Sequence, residues 1–138
     1  MWGAYDAVVV LESDRYFAAL DELISTSTLV IDRRAGSAHP RIPHAVYPLD
    51  YGYLVGTTGG DGDGIDVFVG TERNSGLVGV LLTADVAKRD AEVKLLVDCA
   101  ATEIDEVQRF LTEVLGIGGV PVLRAKRKQA GYETRPDL

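Results

Sequence analysis

The stretch YPLDYGYLVGTTGGDGDGIDVFVG, residues 47–70, decides how this chain is read. Tyr47, Tyr51 and Tyr53 have the look of half-buried strand aromatics, and IDVFVG at 65–70 reads as a short apolar strand. Between them Asp61, Asp63 and Asp66 crowd into six positions among Gly59, Gly60, Gly62 and Gly64. In an extended chain Asp61 and Asp63 would share one face and Asp66 would take the other. Glycine tolerates positive φ, so the backbone can turn and let all three carboxylates converge. Converging carboxylates repel strongly unless a cation sits between them, and hard oxygen donors select Mg²⁺, Mn²⁺ or Ca²⁺. The plainer reading is a solvated acidic turn. Calcium loop patterns fail on spacing: position five would be Ile65 and the obligatory glycine at six is Asp66. The approach of GGDGDG to a calcium-binding nonapeptide repeat occurs once, where a stack is needed.

Working outward, AVVVL at 7–11 reads as a buried strand, and SDRYFAALDELIS as a helix on the spacing of Phe17, Leu20 and Leu23 or Ile24. TLVIDRRAG predicts a strand ending in a turn at Gly36. The prolines of AHPRIPHAVYPLD, 38–50, make a structured loop. Further strands are predicted at about 77–82 and 92–98, with VPVL before Arg124 as a last strand. TEIDEVQRFLTEVLG, 102–116, is the clearest helix: Thr102 as cap, an apolar stripe of Ile104, Val107, Phe110, Leu111 and Val114, and Gly116 as its end. No repeat, linker or low-complexity tract divides residues 1–138, which read as one domain whose short strands suggest a small barrel or sandwich.

Composition narrows the partners. A net charge of −7 argues against a duplex nucleic-acid binder, and no apolar run is long enough to span a bilayer. The N-terminus lacks the marks of a signal peptide, so a cytoplasmic protein is expected. The single cysteine, Cys99, reads as a small core residue. Glu92 and Lys94 share strand parity and would emerge on one face while Val93, Leu95 and Val97 pack behind. Taken alone they are an ordinary surface pair. The basic run RAKRK, 124–128, is by itself an ordinary solvated tail.

Residues 47–70, continuing through VGVLLTAD (78–85) and EVKL (92–95), resemble the signature region of the soluble inorganic pyrophosphatases. The family pattern is Tyr-Pro-x-Asn-Tyr-Gly-Tyr followed by Asp-Gly-Asp-Pro-hydrophobic-Asp, in the same order. The resemblance implies an α+β, β-rich fold: a small five-stranded OB-like β-barrel with flanking helices. It implies Mg²⁺-dependent hydrolysis of pyrophosphate to two phosphates, with Mn²⁺ as a possible substitute, in a homo-oligomer. By motif position Asp61, Asp66, Asp85 and Glu92 would hold metal, Asp63 would be the general base, and Tyr51 and Lys94 would contact phosphate, with Arg41 as a further substrate-binding cation.

The departures matter as much. The family's Lys-x-Glu pair before the proline-rich loop falls on Thr28 and Val30, which removes one cation and one ligand. His39 stands where the family has an arginine, with Arg41 two positions away. Asp50 replaces the asparagine and Gly64 the proline. The spacing from Asp85 to Glu92 is two residues long, so Asp90 competes with Glu92 as ligand. The C-terminal Tyr-Lys phosphate clamp is absent as a motif, and Arg124, Lys126 and Lys128 are candidates to replace the missing cations. Two other readings therefore stay open: hydrolysis of a different phosphoanhydride or phosphoester, and a non-catalytic metal-binding or regulatory domain of the same fold.

Overall fold

The computed structural model describes residues 4–60 and 62–125, with side chains from residue 12 onward. It is an α+β molecule built on one mixed sheet. Helix α1 (Ala4–Ser25) leads into strands β1 (Thr28–Arg33), β2 (Asp50–Val55), β3 (Ile65–Val69), β4 (Leu77–Asp85) and β5 (Asp90–Val97). Helix α2 (Ala101–Arg109) runs on through a π-helical turn (Phe110–Val114) to strand β6 (Gly118–Leu123). The β-rich α+β reading with flanking helices holds. The sheet has six strands in the order β1-β2-β3-β5-β4-β6 rather than five. It does not close, because β6 takes the outer edge of β4 and no ladder joins β6 to β1.

Strand alternation divides the interior into two cores. On one face Leu54, Val67, Val80 and Leu95 pack under Phe17 and Leu20 of α1. On the other Phe68, Leu81 and Leu96 pack with Tyr47 and Leu49, with Ile104 and Val107 of α2, and with Phe110 and Leu111 of the π-helical turn. Cys99 lies in this second core, as expected, and burial followed by the nearby Glu103 carboxylate pushes its thiol up to about 12. The second face is the one that matters for chemistry. Asp66 lies two residues before Phe68, and Lys94 two before Leu96, so the apolar floor under α2 continues into a polar end.

Three expectations are corrected. AVVVL lies in the N-terminal half of α1, not in a strand. Nothing between Leu11 and Phe17 breaks a helix, and a short apolar run cannot be told from a helical segment by periodicity. Thr102 lies inside α2, whose N-cap is Ala100; Glu103 Oε1 accepts the Ala100 N–H at 2.9 Å. Val114 is exposed, because the π-turn carries it off the buried stripe.

Candidate active site

Parallel pairing of β3 with β5, in the register Val67 to Leu95, sets Asp66 beside Lys94. Antiparallel pairing of β2 with β3 sets Tyr53 opposite Asp66 and Tyr51 opposite Phe68. The side chains meet at Lys94 Nζ, which donates to Asp66 Oδ2 at 2.9 Å, Glu92 Oε1 at 3.0 Å and Tyr51 Oη at 3.0 Å. Lys94 is only 8% exposed. Burial alone would lower its pKa, but the Tyr51 phenol and the Asp66 carboxylate outweigh it and hold the amine above the ordinary lysine range. Tyr51 is shifted up chiefly by burial, so its phenol keeps its proton. The cluster is thus two carboxylates, one ammonium and one neutral hydroxyl.

A polar cavity of about 430 Å³ opens over this cluster, bordered by Asp63, Asp66, Tyr53, Asp32 and Arg33 as well as Lys94. Gly62, with φ 90°, turns the loop that carries Asp63, a conformation that suits glycine. A second cavity of about 270 Å³ shares Arg33, Tyr51, Lys88 and Lys94 with the first and reaches His39, Arg41 and Asp85. Its far wall is apolar, with Ile42, Leu115 and Ile117. In a chain of net charge −7, four lysines and arginines against Asp85 make this slot a positive region. His39 responds: burial first, then the charges of Arg33, Arg41 and Lys88, lower its pKa.

The sequence-derived candidates distribute as follows. Asp66, Glu92, Lys94 and Tyr51 form the buried cluster, and Asp63 borders the cavity above it. Between Glu92 and Asp90, Glu92 is the one bonded to Lys94; Asp90 faces Lys88 Nζ at 3.8 Å. Asp85 sits in the neighbouring slot, where Oδ1 accepts the Lys88 backbone N–H at 3.2 Å and closes the β4–β5 turn. Arg41 is exposed on the slot's rim. Asp61, Lys126 and Lys128 lie outside the described residues. Arg124 does not serve as a replacement cation for this site: its guanidinium makes a bidentate pair with Asp21 at 2.9 and 2.7 Å and lies over the Phe17 ring.

Asp50, where the family pattern has asparagine, accepts the Ala35 N–H at 2.8 Å and fixes the turn after β1. Gly52 explains the Tyr-Gly-Tyr spacing. A Cβ there would run into the Val30 carbonyl oxygen, so only glycine lets β1 approach between the two tyrosines. Among the described residues no three His, Cys, Asp or Glu side chains converge to hold a metal ion. Asp66 and Glu92 instead share an ammonium. Their donor chemistry suits a hard divalent cation.

The sequence reading passed over Arg33 and Lys88, which border both cavities. Lys88 had a signal, the long spacing between Asp85 and Glu92. Arg33 had none, because strict alternation puts it on the face opposite Val30.

Residues 26–114 match the family model described as inorganic pyrophosphatase. Similar solved structures include an inorganic pyrophosphatase from Coxiella burnetii, 16% identical over 76% of this chain and 88% of that one, with a TM-score of 0.49. The inorganic pyrophosphatase from Thermus thermophilus is 22% identical over 68% of this chain and 78% of that one, with a TM-score of 0.48. That from Helicobacter pylori is 18% identical over 75% and 85%, with a TM-score of 0.49. No curated protein matches the chain.

Proposed function

This chain belongs to the inorganic pyrophosphatase family, and on that premise we propose that it hydrolyses inorganic pyrophosphate to two phosphates in a Mg²⁺-dependent reaction. The observation that carries the reading is the buried Lys94, held by Asp66, Glu92 and Tyr51 at the floor of a polar cavity that Asp63 borders. An ammonium and a protonated phenol are suited to donate to a phosphate oxygen, and Asp66 and Glu92, which hold them in this structure, would release them on turning to a metal. Asp63 is the general base that takes a proton from the attacking water. That water's oxygen bonds to one phosphorus, the bridging P–O bond breaks, and the second phosphate leaves. Arg41 supplies positive charge at the edge of the neighbouring slot.

Asp61, Asp66, Asp85 and Glu92 are the oxygen donors proposed for Mg²⁺, with Mn²⁺ as a substitute. When bound, the metal lowers the pKa of a water and offsets phosphate charge. We extend the reading to one domain acting as a cytoplasmic homo-oligomer. No helix of the described residues is long and apolar enough to cross a membrane.

A colorimetric phosphate-release assay tests the proposal. Release from pyrophosphate with Mg²⁺, abolished by a chelator, is the expected result; no release at micromolar enzyme would reject it. Hydrolysis of another phosphoanhydride is a second reading, favoured by the slot that joins the polar cavity through Arg33 and Lys88. Running tripolyphosphate and nucleotides beside pyrophosphate separates the two.

A further inference from the structure

The structure assigns to Arg33 the role of a substrate-binding cation, delivered to the site by a β-bulge and compensating for the cation missing at Thr28. The inference rests on the reading of this site as a pyrophosphate site.

Thr28 pairs with Val55 and Val30 with Tyr53, so both lie on the sheet face that carries Tyr51, Tyr53 and Asp66. These are the two positions that offer neither charge nor ligand. Beyond Ile31, which pairs with Gly52, the ladder slips and Arg33 pairs with Tyr51. Asp32 is the extra residue. A bulge reverses the parity of everything after it, so Arg33 joins Thr28 and Val30 on the site face instead of pointing away. Gly52 makes room for this, since β1 backbone occupies the space that a Cβ would fill.

Arg33 is also built in. Its Nη1 donates to Tyr47 Oη, and its guanidinium lies 5.5 Å from the Tyr47 ring centroid and 5.9 Å from that of Tyr51. Tyr47 is itself only 4% exposed, which fixes the position of its hydroxyl. Among the described residues no carboxylate lies within ion-pair distance of Arg33, whereas Arg124, Arg34 and Lys88 each have one and Lys94 has two. A guanidinium presents five donors in a planar fork. One is used by Tyr47, and the group borders both cavities beside Lys94. A half-buried guanidinium with spare donors beside a polar cavity has the geometry to grip a phosphate bidentately.

The test uses the full chain with Arg33→Ala, Arg33→Lys and the control Arg34→Ala, whose side chain is exposed and faces Asp50. Steady-state hydrolysis of pyrophosphate and calorimetric binding of pyrophosphate are both measured. Arg33→Ala is expected to raise KM and weaken binding by about tenfold or more, as loss of a charged hydrogen bond predicts. Arg33→Lys should recover part of the binding, and Arg34→Ala should leave both readouts unchanged. Unchanged KM and affinity in Arg33→Ala would overturn the inference, as would a change only in melting temperature. An inactive wild type that still binds pyrophosphate through Arg33 would sink the hydrolase reading alone, and a wild type that does not bind it would sink both.

Discussion

Lys94 Nζ stands 2.9 Å from Asp66 Oδ2 although 27 residues separate them in sequence, and the bond links the neighbouring parallel strands β3 and β5. With Glu92 Oε1 at 3.0 Å on its other side, the ammonium occupies the space between two carboxylates that a divalent cation would otherwise neutralise.

Removing that ammonium leaves two largely buried carboxylates facing each other. Lys94→Met is expected to cost about 3–5 kcal/mol of stability, the usual penalty for breaking a buried pair from one side. Part of the loss should return in Mg²⁺, which can take the vacated place. Thermal melts of wild type and variant with and without Mg²⁺ provide the check, and a variant as stable as wild type in chelator would contradict the pairing.

Asp63 is exposed and borders the polar cavity. Its substitution should therefore separate chemistry from folding. Asp63→Asn keeps the shape but cannot accept a proton as a carboxylate does, and kcat for pyrophosphate should fall by about 10²–10⁴-fold. The melting curve should barely move. Retained activity would remove Asp63 from the proposed general-base role.

Gly52 carries a steric prediction. Gly52→Ala drives a Cβ into the Val30 carbonyl, so β1 must separate from β2 at the bulge that aims Arg33. Overpacking typically costs about 1–3 kcal/mol, and backbone against backbone leaves little room to relax. A lowered denaturation midpoint together with weaker pyrophosphate binding is expected. Wild-type values for both would show that the strands absorb the methyl.

Glu103 gives a pH dependence. Burial would raise its pKa, but hydrogen bonds from the Ala100 N–H and from the Thr71 N–H and hydroxyl outweigh burial and lower it below the ordinary glutamate value of 4.5. A carboxylate with a depressed folded-state pKa stabilises the fold above its unfolded value and loses that contribution as pH falls through the folded one. Glu103→Gln should therefore cost about 1–2 kcal/mol at neutral pH, with the gap to wild type narrowing as pH falls below 4.5. Denaturant titrations across that range measure it, and a gap independent of pH would exclude the charge as its cause.

Local pattern determined a good deal of this molecule. The alternation in IDVFV and EVKLLV assigned their faces, and the shared parity of Glu92 and Lys94 put both on the site side. The glycines and aspartates of 59–66 marked a tight loop beside a strand, and the tyrosine-glycine-tyrosine segment marked where β2 would pack. These features depend on neighbours in sequence, which is why period and spacing reveal them. The limits were also local: AVVVL satisfied a strand pattern and a helix pattern equally well, and the helix won because no turn residue interrupts it. Only the tertiary structure decided the rest. Parallel pairing brought Asp66 to Lys94, the slip between Ile31 and Arg33 turned an outward arginine toward the site, and Asp21 drew Arg124 away from it. Each of these depends on strand register or on contacts across dozens of residues, and a single slipped residue reverses a side chain's face without altering the local sequence.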